Sequence, residues 1–128
     1  MPTTLSEAAD AFYVAGNQML AGDPSGFAAL WSSADDISLL SPLGAMHFGR
    51  AAVMEEIQRE SGMGFVGTLV ADDRRLVETA VMGLLVCMER TRGMSQAGEA
   101  IEVDIRSTTV FRKEGNQWYV VHHHTDRF

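Results

Sequence analysis

Three of the four histidines in this chain stand in a row near its end, in Gln117-Trp118-Tyr119-Val120-Val121-His122-His123-His124-Thr125. Imidazole changes charge near neutral pH, so such residues carry protons, bind anions or ligate metals. The aromatic and β-branched residues ahead of them read as a β-strand, which sets the histidines inside the fold and argues against a purification tag. Successive side chains of a strand leave on opposite faces. That alternation predicts His122 and His124 on one face with Trp118 and Val120, and His123 on the other with Tyr119 and Val121. Three adjacent histidines therefore cannot share one metal. His122 and His124 could supply two ligands, with His47 or a carboxylate as a third, but no second spaced ligand pair accompanies them. The expectation is no metal and no cofactor. Two roles stay open for the pair. They are hydrogen-bonded strand residues tied to Thr108 or Arg106, or they form the polar end of a pocket and move protons. On the second reading His122 and His124 are the catalytic candidates.

Other chemistry-bearing residues are fewer. Arg106 would clamp an anion if it faces inward, and would make a salt bridge or interface contact if it faces outward. A bulge near Gly115 would switch its side. Phe12, Trp31 and Trp118 belong to the core or to a ligand stack. Eight methionines suit an adaptable interior. Cys87, between Val86 and Met88, reads as an inert buried thiol. Asp35-Asp36 and Asp72-Asp73 read as solvated turn residues. No glycine-rich phosphate loop or nucleophile–base signature occurs.

The elements that must hold these residues are legible. Thr4-Leu5-Ser6-Glu7 has capping-box spacing, and Leu5, Ala8, Phe12, Ala15 and Met19 then recur at helical spacing to about Ala21. Gly22 stops that helix, and Asp23-Pro24 starts a short second one carrying Phe27, Leu30 and Trp31. "DDISLLSP" reads as a strand and Ala45 to Phe48 as its return. Val53, Met54 and Ile57 mark a third helix from Arg50 to about Glu60, closed by Gly62 and Gly64. Phe65 to Val77, Ala80 to Thr91, Ala100 to Arg112 and Trp118 to Thr125 are long strand-like segments. Helices first and a meander afterwards argue for an α+β domain. Strands this long must curl around the helices, giving a cone whose mouth suits a pocket.

A chain of 128 residues is the size of one domain, here 1–128. A formal net charge of −7 makes nucleic acid and anionic membranes poor partners. One cysteine excludes an intrachain disulfide framework and fits a reducing compartment. With acidic Glu7 and Asp10 near the start, and no apolar run of about 18 residues, the expectation is a cytoplasmic protein.

Several stretches resemble the nuclear transport factor 2-like superfamily, also called cystatin-like or ketosteroid-isomerase-like. They are "AGDPSGFAALWSSADDISLLSPLG", "HFGR", Arg106-x-Thr108-x-Val110, Arg112, Gly115, Trp118 and Val121-His122-His123-His124. Within the superfamily the chain is most similar to SnoaL-like proteins and to the association domain of calcium/calmodulin-dependent protein kinase II. The resemblance implies a cone-shaped, strongly curved antiparallel six-stranded sheet around three helices, with a homodimer formed through the convex face. It also implies a cavity lined by the last strand, with Phe12, Trp31, His47, Arg106, Trp118, His122 and His124 as ligand-binding candidates. Ketosteroid isomerases need a carboxylate base, a tyrosine and a protonated aspartate. By the resemblance these positions fall on Ser41, Ala15 (or Tyr13 with a small shift of register) and Ser107, which disfavours steroid isomerisation. The resulting expectation is a pocket protein for a small hydrophobic ligand with a polar or anionic group; whether it is also an enzyme of the isomerase, cyclase or dehydratase kind stays open. Its rival is a non-catalytic homo-oligomeric association module.

Overall fold

The capping box at Thr4 forms: the Glu7 backbone N–H donates to Thr4 Oγ1 at 3.1 Å, and Glu7 Oε1 accepts from the Thr4 backbone N–H at 3.1 Å. It opens helix α1 (Leu5–Leu20), which buries all five residues of the expected apolar stripe. Helix α2 (Ser25–Ala29) follows, with Asp23 Oδ1 accepting the Ser25 backbone N–H at 3.1 Å. Strands β1 (Ser38–Leu40) and β2 (Met46–Phe48) are short, and helix α3 (Arg50–Ser61) buries Val53 and Ile57. Four long strands complete the chain: β3 (Val66–Glu78), β4 (Met82–Met94), β5 (Ala100–Glu114) and β6 (Gln117–Asp126). The computed structural model describes residues 2–127.

The sheet order is β2-β1-β6-β5-β4-β3. Every pairing is antiparallel except β1 with β6, which is parallel, so the all-antiparallel expectation is corrected at that one junction. The sheet curls around α1, whose Phe12 meets Phe27, Phe111 and His123 in one aromatic cluster. Two contacts seat the helix. The Asn17 amide donates to the Leu69 carbonyl and accepts the Leu69 N–H, both at 2.8 Å. It thereby satisfies a backbone that edge strand β3 would otherwise leave unpaired. At Gly83 a side chain would collide with Leu5, so the bare backbone admits the start of α1. A second pair, Gly67 opposite Gly93, leaves room for the Phe65 ring to fold over β3 and β4.

Candidate functional site

Strand β6 does not keep a strict alternation. Phe111 pairs with Val120 and Val110 with His122, leaving Val121 as an unmatched bulge residue. Before the bulge, Trp118 and Val120 face the core, at 2 % and 1 % exposure. After it, His123 and Thr125 face the core, while His122 and His124 face outward. The expectation that His122 and His124 share a face is met. Their expected grouping with Trp118 and Val120 is corrected, because the bulge adds one residue between the two pairs. It lies at Val121, not at the Gly115 turn.

His123 enters the cone and heads a buried polar cluster. Its Nδ1 lies 2.8 Å from Thr109 Oγ1, and its Nε2 lies 3.3 Å from Glu89 Oε2. The Tyr13 hydroxyl donates to the same Glu89 oxygen at 2.8 Å and sits 3.2 Å from Cys87 Sγ. Glu89, 5 % exposed, is a carboxylate deep in the interior. Burial pushes its pKa up, but the His123 charge and hydrogen bonds from His123 and Tyr13 outweigh this and hold it below the ordinary value. An ionised Glu89 accepts the His123 Nε2–H, and Nδ1 meets the Thr109 hydroxyl as acceptor from a neutral ring or as donor from a charged one. Burial and the adjacent Glu89 raise the Tyr13 phenol far above its usual range, so it stays a donor. Arg74 covers the Tyr13 ring at 5.4 Å while pairing with Asp10 at 2.6 Å. Burial also raises the Cys87 thiol, as an inert thiol requires.

Glu89 and His123 of this cluster line a cavity of about 660 Å³. Phe12, Phe27, Phe65, Leu69, Val103 and Ile105 supply apolar wall, and Glu60, Glu89, His123 and Arg127 are its ionisable groups. Burial first, then the charge of Glu56, pushes the Glu60 carboxyl up to about 7. A neighbouring cleft of about 730 Å³ lies between α3 and the β1–β2 turn, and Ser41, Pro42, Leu43, Glu60 and Met63 border both spaces.

Of the residues expected to bind ligand, only Phe12 borders the cavity. Trp31 and Trp118 are sealed in the core. His47 lines the neighbouring cleft, its Nε2 3.8 Å from Glu56. Arg106 faces outward and forms a two-pronged pair with Asp126 at 2.8 and 3.0 Å. His122 accepts or donates a 2.7 Å bond with Ser38 Oγ, and exposed His124 borders a shallow outer depression with Arg106 and Asp126. The polar end of the cone is therefore His123, where His122 or His124 was expected. Among the described residues, no group of three or more His, Cys, Asp or Glu side chains is arranged to hold a metal ion. No helix among them is long and apolar enough to cross a membrane.

A family model for the SnoaL-like domain matches residues 6–125. The chain belongs to the SnoaL-like domain family. No curated protein matches it. Among solved structures, one from Thiobacillus denitrificans, assigned provisionally as a calcium/calmodulin-dependent protein kinase type II association domain, is 26 % identical with a TM-score of 0.79. That match covers 100 % of this chain and 97 % of the other. A provisionally assigned dehydratase of the NTF2-like family from Streptomyces avermitilis is 21 % identical with a TM-score of 0.83, over 97 % and 93 % of the two chains. A ketosteroid isomerase-like protein from Erwinia carotovora atroseptica is 18 % identical with a TM-score of 0.78, over 95 % and 92 %. These likenesses carry the cystatin-like α+β fold of the SnoaL-like family; the chemistry must come from the site.

Within this SnoaL-like cone, Tyr13, not Ala15, presents the phenol, and Ser107 Oγ stands 3.5 Å from it. Ser41 borders the cavity but offers no carboxylate. The cavity's carboxylates come instead from β4 and α3, as Glu89 and Glu60, which residue-type reasoning passed over. A signal existed for Glu89, the only acidic residue between Val81 and Thr91. It was unreadable because both faces of β4 are apolar there, so period-two alternation does not name the inward one.

Proposed function

We propose that this protein binds a small, mostly apolar molecule bearing one polar group and acts on it by acid–base chemistry of the isomerase, cyclase or dehydratase kind. The observation that supports this is a buried Tyr13–Glu89–His123–Thr109 cluster that presents Glu89 and His123 to a largely apolar cavity. Concave apolar pockets with a few convergent polar and titratable groups are the usual form of small-molecule sites. With Glu60 and Glu89 both bordering the cavity, a neutral carbonyl or hydroxyl suits it better than an anion. The provisional dehydratase and the ketosteroid isomerase-like neighbour are consistent with such chemistry. The test is native mass spectrometry of the freshly purified protein and of single His→Gln variants. The expected result is a co-purifying molecule retained by H122Q and H124Q and lost from H123Q. Equal retention in all three would remove His123 from the site.

The assembly reading has its own support. The outer face of β3 and β4 exposes Val66, Val70, Val77 and Val86, with Val66 at 74 % and Val77 at 57 %. Apolar patches of this kind mark interaction surfaces. We propose a homodimer through this convex face, burying about 1,200–2,000 Å². Sedimentation should show a dimer that Val77→Lys converts to monomer; a monomeric parent at micromolar concentration would overturn it.

A further inference from the structure

His123 cannot easily be the group that exchanges a proton with a ligand. Both of its ring nitrogens are committed, Nδ1 to Thr109 and Nε2 to Glu89. Glu89 is likewise engaged, by Tyr13 and His123. Glu60 differs. No hydrogen bond holds its carboxyl among the described residues; only burial and neighbouring charges act on it. It also borders both the apolar cavity and the charged cleft outside it.

That cleft carries a rigid charge device. Glu56, one helical turn before Glu60, is 5 % exposed and is gripped by Arg59 through Nε at 2.6 Å and a second guanidinium nitrogen at 2.7 Å. His47 Nε2 stands 3.8 Å from the same carboxylate. Residues four apart on a helix share a face, so the fixed Glu56 charge acts on Glu60 at short range. The other charged groups around Glu60 are Arg59 on the same helix, His123 on β6 and Glu89 on β4; Arg127 also borders the cavity.

We propose that Glu60 is the residue that gives a proton to, or takes one from, the molecule bound in the cavity, with the Glu56–Arg59 pair as the positioning element that sets its readiness. The step moves one proton between the ligand's polar group or an adjacent carbon and a Glu60 oxygen, and needs no oxidant or co-reactant. The outer cleft returns that proton to solvent. This inference rests on the cavity being a ligand site, and its burial-raised pKa near neutrality agrees with such a role.

The experiment has two arms. Carbon-detected NMR of carboxyl-labelled glutamate in the ligand-free protein, assigned by loss of one signal in E60Q, follows Glu60 directly. The expected titration lies near neutral pH. It moves down in E56Q, which removes a like charge and frees Arg59, and up in R59Q, which removes a positive one. A Glu60 titration at the ordinary value of 4.5, or one unmoved by both substitutions, overturns the proposal. A purely helix-stabilising role for Glu56 and Arg59 would not produce opposite shifts. The second arm uses 2-naphthol, a neutral aromatic with one hydroxyl, as the probe. The parent should bind it with a pH dependence following the Glu60 titration, and E60Q should bind it with that dependence gone. Loss of the NMR result alone condemns Glu60. A parent that fails to bind the probe condemns the cavity reading and the proposal with it.

Discussion

His123 and His124 are neighbours in the chain and share almost nothing else. His123 packs tilted against Phe12 with ring centroids 4.9 Å apart and joins a buried carboxylate, phenol and hydroxyl. His124 is exposed beside an arginine–aspartate pair, with the His122 ring 6.3 Å away. The two sheet faces thus use one residue type for opposite purposes. On the inner face each polar atom is desolvated and must be paired; on the outer face water substitutes for any partner that is removed. The difference teaches that chemical capacity here follows from burial, not from the presence of imidazole.

The sharpest way to break this comparison is at Glu89. Replacing it by leucine strands the His123 Nε2–H in the interior and leaves the Tyr13 hydroxyl only its weaker contacts with Cys87 and Ser107. Breaking a buried pair in this way should cost about 3 kcal/mol or more, read from urea unfolding. An effect no greater than that of H124Q would show that the inner cluster is not the energetic unit described here. Asn17→Ala, which frees the Leu69 N–H and C=O and unties α1 from β3, should cost about 1–3 kcal/mol by the same measurement.

A pH scan sharpens the comparison within the cavity itself, since the pKa values of its two carboxyl groups are shifted in opposite directions. The folded pKa of Glu89 lies below the ordinary 4.5, so its contribution is complete above that value and is lost as pH falls through the lower folded value. The folded pKa of Glu60 lies near 7, above 4.5, so the native state holds the extra proton. Its contribution is complete below 4.5 and is lost as pH rises toward 7. Glu60→Gln should therefore flatten the decline of stability between pH 4.5 and 7 and stabilise the protein at pH 8 by on the order of 1 kcal/mol, discounted for partial exposure. A parallel pH profile in the variant would refute the assignment. The smallest effects belong outside. R106A, which loses only the exposed pair with Asp126, and H124Q should leave the midpoint of unfolding within error of the parent.

Much of this protein was written locally. The capping box at Thr4–Glu7, the apolar stripe from Leu5 to Met19, the breaks at Gly22 and Gly62, and the four long β-rich segments are short-range patterns. They specify helices and strands without help from the rest of the chain, and their order implies a curled α+β sheet. The membership of His122 and His124 in one face, opposite His123, is equally local, because it needs only the two-residue period of a strand. Which face is the inside is not local. It depends on one extra residue at Val121, which changes the phase between Trp118 and His123, and no signal in a run of Tyr-Val-Val-His marks that bulge. The same holds for the cavity's acids. Glu60 and Glu89 lie 29 positions apart on a helix and a strand, and acquire their character only when the fold buries Glu89 and partly buries Glu60. Composition and periodicity fix what each segment can become; dielectric environment, and with it proton chemistry, is a property of the assembled interior alone.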